Sequence, residues 1–213
     1  MTPRSFAICF CGGSGVAYGV RLCEVLLGGG HTVHLCATAA AIRVLVHEAA
    51  AAIDLESPDL RTLFPAPLRA RLHVHARDAV EATPASGSAR LHATILVPCS
   101  MGTLARVAHG FSSNLIERAA DVALKEGRPL VVVPRETPLS VVHLENMLKL
   151  ARAGAIVLPA MPGFYHRPQA VADLVDFVVG KILDRIGVDH ALLPRWQTPP
   201  PTAAGSPWDE GEA

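Results

Sequence analysis

The fold is decided by residues 98–138, which read PCSMGTLARVAHGFSSNLIERAADVALKEGRPLVVVPRETP. An apolar run at residues 94–97 leads into a predicted turn that carries two hydroxyls, Ser100 and Thr103, and a helix is predicted to follow. A second apolar run, at residues 130–133, ends in an Arg-Glu pair. Two strands that each deliver polar groups at their carboxyl ends are typical of the ligand crevice in an open parallel sheet.

Two cations, Arg118 and Lys125, lie in the helix between these strands. Their spacing is two helical turns, which places both on one face, roughly 10 Å apart along the axis. By itself the pattern also fits a solvated helix face on which Asp121 pairs with Lys125. The hydroxyls before the helix, together with Arg135 and Glu136 after the next strand, favour a binding site for an anion.

The rest of the chain alternates between strand-like and helix-like stretches. We predict a strand at 5–11, a helix to about 27, a strand at 32–37, a helix at 38–48 capped by Thr38, a helix at 140–153, a strand at 155–158 and a helix at 168–186. Residues 72–75 are a further candidate strand. Such alternation predicts an α/β fold, with a Rossmann-like (flavodoxin-like) open parallel sheet and helices on both faces.

Length and composition fit a single compact domain over residues 1–196. The chain has 213 residues, of which 50% are hydrophobic and 18% charged, and its formal net charge is zero. The sequence has no basic stripe with interleaved aromatics, so we expect no nucleic-acid partner. Its apolar runs are too short to span a membrane, and no cleavable signal pattern opens it, so we expect a cytoplasmic protein. Residues 197–213 are rich in Pro, Thr and Gly, and we expect a disordered tail.

Cysteines and histidines give no sign of a metal site. Five cysteines stand in apolar surroundings without a C-x-x-C motif, which is typical of buried thiols in a reducing compartment. Cys99 borders the predicted ligand turn and is the one candidate for a reactive thiol, although we expect it to pack inward. Neither His73 with His75 nor His31 with His34 has a third ligand nearby in sequence, so we predict no metal.

A glycine-rich turn, GGSGVAYG, follows the first strand at residues 12–19. It is not a Walker loop, and it misses the G-x-G-x-x-G dinucleotide pattern by one residue. The second strand ends in Cys36-Ala37-Thr38, without the acid that would bind the ribose of NAD. A small phosphate on the backbone amides at the helix start fits better. A tight turn without ligand would explain the glycines but not Ser14.

Taken together, these motifs resemble one known family. They are GGSG with Tyr18-Gly19, PASGS at 84–88, PCS at 98–100, residues 114–126, residues 128–138, HLENMLKL at 143–150, PGFYH at 162–166 and LPRW at 193–196. The NLIERAAD run at 114–121 is the most specific of them. The sequence closely resembles the UbiX family of flavin prenyltransferases, and the resemblance extends over residues 5–196.

This resemblance implies an enzyme that transfers a dimethylallyl group from dimethylallyl phosphate to reduced FMN. The prenyl group is attached at the central-ring nitrogen and then closes onto the neighbouring aromatic carbon, which makes a fourth ring. The product, prenylated FMN, serves partner decarboxylases of the UbiD type. The family also implies a homo-oligomer, commonly a dodecamer, and chemistry without a metal.

The resemblance also implies roles for individual positions. Those that match the family's FMN contacts are Gly12, Gly13, Ser14, Thr38, Ser100, Met101, Gly102, Thr103 and Arg135. Those that match the donor-phosphate contacts are Arg118, Lys125, Tyr165 and Lys181, which would stabilise the charge that grows as the carbon–oxygen bond breaks. Glu136 matches a carboxylate near that phosphate, for proton handling or for orienting Lys125, and Glu48 matches a second acidic position near the site.

Four features depart from the family pattern, and the mildest is Cys11-Gly12-Gly13-Ser14 in place of the common Thr-Gly-Ala-Ser turn. Position 181 is Lys where close relatives often have Arg, which keeps the charge and loses the bidentate fork. Met101 replaces a small hydroxyl residue, and Val80 stands where some relatives have a Trp that would border the prenyl pocket.

Two rival functions remain open from the sequence. One is an FMN-dependent decarboxylase of the cysteine-oxidising type on the same fold, although residues 159–162 read PAMP and lack the Asn of its P-x-M-N segment. The other is a non-catalytic FMN-binding carrier, which has no need of a second phosphate site. The cation set around residues 118–125 therefore favours the transferase.

Overall fold

Six parallel strands form one sheet in the computed structural model, which describes residues 2–48 and 53–193. The strands are β1 Ser5–Cys11, β2 Thr32–Ala37, β3 Leu72–His75, β4 Ala93–Cys99, β5 Leu130–Pro134 and β6 Ile156–Val157. The main helices are α1 Val16–Gly28, α2 Ala39–Glu48, α3 Met101–Ala108, α4 Leu115–Lys125, α5 Val141–Arg152 and α6 Val171–Arg185. Short 3-10 turns between α2 and β4 are Leu60–Leu63, Ala66–Arg71, Thr83–Ala85 and Gly87–Ala89.

The strand order creates a crevice at the centre of the sheet. The strands lie side by side as β3-β2-β1-β4-β5-β6. The chain runs outward from β1 to β3 and then returns to the other side of β1 for β4. The connections after β1 and β4 therefore leave in opposite directions, and a ligand crevice opens at their carboxyl ends. This order and the parallel pairing confirm the predicted fold class.

Successive side chains of each strand point to opposite faces of the sheet, so the core consists of two parts, each covered by a layer of helices. Phe6, Ile8 and Phe10 of β1 are fully buried on one face, in a cluster with residues of α1, α2 and α6. Cys9 and Cys11 point to the other face, where α3, α4 and α5 pack. Since neighbouring side chains of a strand point to opposite faces, an apolar run is buried on both sides. All five cysteines are buried free thiols, as predicted.

The turn predicted after β4 is wrong, because a separate helix begins there. Ser100 has an extended backbone, with φ −70° and ψ 150°, and its hydroxyl accepts a hydrogen bond from the Thr103 amide. This cap starts α3 at Met101, so Thr103 lies in the first helical turn. Gly110, at φ 72°, follows the end of α3, and the chain then starts a second helix, α4.

The end of the chain also differs in detail from the prediction. The last helix begins at Val171 and not at residue 168, because the Asp173 carboxylate accepts the amides of Gln169 and Ala170 and caps the helix there. The strand predicted at 155–158 is only Ile156–Val157, which lies at the sheet edge and pairs with β5 alone. The predicted tail at 197–213 lies outside the described residues.

Candidate functional site

The glycine-rich turn after β1 is packed between α2 and the end of β4. Gly12 has φ 68°, and a Cβ there would lie 2.8 Å from the Ala40 Cβ. A Cβ on Gly13 would lie 3.5 Å from the backbone carbonyl of Cys99. Gly12 is therefore required for its backbone conformation and for space, whereas a Cβ on Gly13 would only make ordinary contact with the end of β4. The turn carries backbone amides into the crevice between β1 and β4.

Glu48, at the end of α2, orients this turn. Its Oε2 accepts the Gly15 amide at 2.8 Å and the Val16 amide at 3.2 Å. Burial raises the pKa of Glu48, but hydrogen bonds from the Ser14 hydroxyl and the two amides, with the charge of Arg135, lower it overall. The geometry favours an ionised carboxylate that holds Ser14 in place.

The start of α3 offers a second set of donors on the opposite side of the crevice. The Ser100 hydroxyl donates to the Thr103 hydroxyl at 3.1 Å, and the Ser100 amide bonds to the Cys11 carbonyl at 3.3 Å. A Cβ on Gly102 would meet no atom within 4 Å. The side chain of Met101 is buried in the core, so only its backbone faces a ligand here. A helix start is suited to a phosphate, because its first amides point out of the helix and carry partial positive charge.

Thr38 and Arg135 complete the rim at the ends of β2 and β5. The Thr38 hydroxyl accepts the Ala41 amide at 3.0 Å, which confirms it as the cap of α2. Arg135 acts on the pKa of both Glu48 and Tyr18, so its charge lies close to the glycine-rich turn. Burial raises the pKa of Tyr18, and Arg135 partly opposes this rise. Tyr18 is not among the predicted site residues. Its position in the first turn of α1, directly after the glycine-rich turn, would have indicated that it lies near the crevice.

The two cations of α4 lie against the loop at residues 83–89, and Arg118 is bonded to it. Arg118 Nε donates to the Ala85 carbonyl at 3.3 Å, and its Nη1 pairs with Asp121 at 3.0 Å. Lys125 pairs with the next residue in the chain, Glu126, and not with Asp121 as the alternative interpretation predicted. A Cβ on Gly87 would lie 2.8 Å from Glu126 Cδ and 3.1 Å from Lys125 Nζ, so the glycine lets the loop approach this ion pair closely.

Arg128 is a loop contact that the sequence did not reveal. Its guanidinium donates to the Gly87 carbonyl and lies 4.0 Å from Glu126. Val80, upstream of the loop, is 57% exposed. Glu136 is exposed after β5, and its Oε1 accepts the Thr137 amide at 3.0 Å.

Tyr165 and Lys181 form a second group around Phe177 of α6. The Tyr165 ring meets Phe177 edge-on, with centroids 5.6 Å apart. Lys181 Nζ lies 5.5 Å from the centroid of the same ring. Lys181 also lines a cavity of about 450 Å³ beside β6 and α6. The four predicted donor-phosphate residues therefore lie on opposite faces of the sheet. Arg118 and Lys125 belong to the helical layer of α4, and Tyr165 and Lys181 belong to the layer of α6.

Within residues 2–48 and 53–193, no three His, Cys, Asp or Glu side chains are grouped so that they could hold a metal ion. His34 and His75 are hydrogen-bonded to each other, with their nitrogens 3.0 Å apart. In the same part of the chain, no helix has the length and apolar character needed to cross a membrane.

Comparison with known proteins places this geometry in a family. The model of the family described as Flavoprotein matches residues 2–183. A flavin prenyltransferase UbiX from Alkalihalophilus pseudofirmus is 51% identical over 87% of this chain and 92% of its own length. The enzyme of the same name from Pseudomonas aeruginosa is 47% identical over 91% of this chain and 94% of its own length.

Solved structures agree with these sequence relatives. AnUbiX (PadA1), in complex with FMN and dimethylallyl pyrophosphate, has a TM-score of 0.81 and 37% identity, over 92% of this chain and 99% of its own. A dodecameric FMN-dependent UbiX-like decarboxylase from Escherichia coli O157:H7 has a TM-score of 0.77 and 39% identity, over 91% of this chain and 100% of its own. The chain therefore belongs to the Flavoprotein family and, within it, to the UbiX-type flavin prenyltransferases.

Proposed function

We propose that this protein transfers a dimethylallyl group from dimethylallyl phosphate to reduced FMN and releases prenylated FMN. The observation that carries the proposal is the presence of two distinct sets of anion-binding groups. One set surrounds the crevice between β1 and β4, and the other consists of the α4 cations with the Tyr165–Lys181 group. A reaction that joins a phosphate-bearing flavin to a phosphate-bearing donor needs both sets.

FMN occupies the crevice in this proposal. The amides of Gly12, Gly13 and Ser14 contact it on one side, and the start of α3 contacts it on the other. Thr38 and Arg135 border it at the ends of β2 and β5. The hydroxyls and amides at the start of α3, residues 100–103, suit the phosphate of FMN because a helix start carries partial positive charge.

The donor phosphate is held by Arg118, Lys125, Tyr165 and Lys181. Since these residues belong to opposite layers of one protomer, two copies of the chain complete the site together. An exposed apolar strip on α5, formed by Val141, Val142, Leu144 and Leu148, supports a homo-oligomer. The dodecamer of the UbiX-like decarboxylase is a suitable template for that assembly.

The two carboxylates have different tasks in this proposal. Glu48 is ionised and orients Ser14, because its Oε2 accepts the Gly15 and Val16 amides and a hydrogen bond from Ser14 lowers its pKa. Glu136 is exposed at the end of β5 next to Arg135, and it handles the proton that the flavin releases or orients Lys125. The cations stabilise the departing phosphate as the allylic carbon–oxygen bond breaks.

The product is consumed by a decarboxylase of the UbiD type. Prenylated FMN is the cofactor of those decarboxylases, and the family that this chain resembles supplies it. We place the protein in the cytoplasm, since its five cysteines are free and buried, as in proteins of a reducing compartment.

The test is an anaerobic reaction of the purified protein with reduced FMN and dimethylallyl phosphate, followed by mass spectrometry of the released flavin. A flavin heavier by one five-carbon prenyl unit is the expected product. Unmodified flavin with both the monophosphate and the diphosphate donor would contradict the proposal and would point to a carrier or to a cysteine-type decarboxylase. Val80 and Met101 would then be the first positions to restore to the family pattern.

A further inference from the structure

In residues 162–168, which are part of the connection from β6 to α6, apolar rings are exposed and polar ring atoms are buried. Phe164 and Tyr165 are 60% and 66% exposed, whereas both ring nitrogens of His166 are buried. Neither nitrogen has a hydrogen-bond partner among the residues that the structure describes. Water favours the opposite arrangement, because an imidazole carries a donor and an acceptor whose burial without partners is costly. The segment is therefore suited to a second component that is not water.

The backbone next to His166 is strained as well. Arg167 has φ 54°, in the left-handed region that side-chain-bearing residues rarely adopt. Such strain persists where the surrounding structure enforces it, and it is concentrated at ligand sites. The His166 ring is stacked on Phe177 with centroids 5.2 Å apart and 13° between the planes. A half-turn about the Cβ–Cγ bond keeps this stack and moves both nitrogens to the present positions of ring carbons.

The groups around Phe177 indicate what the second component is. Tyr165, His166 and Lys181 all lie around this one ring, and they supply a phenol, an imidazole and an ammonium group. Each can donate a hydrogen bond to a phosphate oxygen. A Cβ on Gly163 would lie 2.9 Å from Tyr165 Cε1 and 3.0 Å from Phe177 Cζ, so this glycine allows the group to pack tightly.

We propose that His166 is a further phosphate-contacting residue, which donates a ring N–H to the phosphate of the prenyl donor beside Tyr165 and Lys181. The inference rests on the proposed function, because it adds a residue to that donor site. The nearby carboxylate of Asp173 is engaged with the amides of Gln169 and Ala170 and does not bond the imidazole. The donor phosphate thus supplies the partner that the imidazole lacks.

Two variants of the full chain loaded with FMN test this role. His166→Phe keeps the ring stack and removes both nitrogens, and His166→Gln keeps an N–H donor. We expect the KM for dimethylallyl phosphate to rise about 10-fold or more in His166→Phe, with a smaller change in kcat and unchanged FMN binding. His166→Gln should recover most of this loss. The matched control is His73→Phe, because His73 is also a stacked histidine and lies at the opposite edge of the sheet.

Calorimetric binding of inorganic phosphate to the protein with oxidised FMN gives a readout that does not depend on turnover. An unchanged phosphate affinity and KM in His166→Phe overturn the role of His166. The role is also overturned if His166→Phe forms a smaller assembly on size-exclusion chromatography while its KM stays normal. The ring nitrogens would then contact a neighbouring copy of the chain and not the donor phosphate. A wild-type protein that forms no prenylated flavin overturns the proposed function, and the ratio of phosphate affinities then still decides the role of His166.

Discussion

Replacing Lys125 with alanine separates donor binding from flavin binding. Lys125 is the last residue of α4, it pairs with Glu126, and it lies against the loop at residues 83–89 on the side of Gly87. The crevice between β1 and β4 is formed by other elements. We therefore expect Lys125→Ala to retain FMN and to lose most of its prenyl transfer.

The magnitude follows from the exposure of this side chain. Lys125 is 46% exposed, so its pairing with Glu126 contributes about 0–1 kcal/mol and its removal costs little stability. A hydrogen bond from a charged donor is worth about 1.5–3 kcal/mol. At about 1.4 kcal/mol for each factor of ten, kcat/KM for dimethylallyl phosphate should fall roughly 10- to 150-fold.

The assay is anaerobic formation of prenylated FMN at varied donor concentration, with bound flavin measured by absorbance in the same sample. Lys149→Ala is the matched control, because Lys149 is also a helical lysine but contacts His109 between α3 and α5. Loss of flavin with unchanged turnover per bound flavin would refute the role of Lys125. Equal losses in Lys125→Ala and Lys149→Ala would show a general effect of charge or assembly.

Three further changes test other parts of the structure. Glu136→Gln should lower kcat by about 100-fold or more with little change in the KM for the donor, if Glu136 moves a proton. Glu117→Gln should lower the free energy of unfolding by about 1–3 kcal/mol at neutral pH, because it breaks the pair with Arg106. Burial raises the pKa of Glu117, but bonds from Arg106 and the Ser113 amide lower it overall, so its stabilisation is lost as pH falls below about 4.3. Gly19→Ala should destabilise the fold by about 1–3 kcal/mol, since its Cβ would lie 2.6 Å from the Val97 carbonyl.

Each of these predictions has a contradicting outcome. A normal kcat in Glu136→Gln removes that residue from proton handling. For Glu117→Gln, urea unfolding as a function of pH should show a shallower loss below about pH 4.3 than the wild type, and an identical slope contradicts the assignment. For Gly19→Ala, the control is Gly28→Ala in the same helix, where a Cβ would meet no atom within 4 Å. Equal unfolding midpoints for the two glycine variants would show that the close approach to β4 is unimportant.

Local patterns in the sequence determined most of the secondary structure. Apolar runs of strand length, the glycines after β1 and the cap at Thr38 act through neighbouring residues, so β1, β2 and α2 lie where they were predicted. Boundaries were less accurate where a cap depends on a side chain farther along, as with Asp173 at the start of α6. At Ser100 a turn was expected, but the Ser100 hydroxyl caps a helix that begins at the next residue.

The arrangement of the site depends on the tertiary structure. Sequence spacing placed Arg118 and Lys125 on one helix face, but it did not determine that Tyr165 and Lys181 lie in the opposite layer. That division follows from the direction in which each connection crosses the sheet, which is a property of the whole chain. The contact of Arg118 with the Ala85 carbonyl and the buried nitrogens of His166 likewise depend on residues brought together by packing. The sequence by itself therefore determined which chemical groups are present, and the tertiary structure decided which of them meet, because periodicity extends over a few residues and packing joins residues that are far apart in the chain.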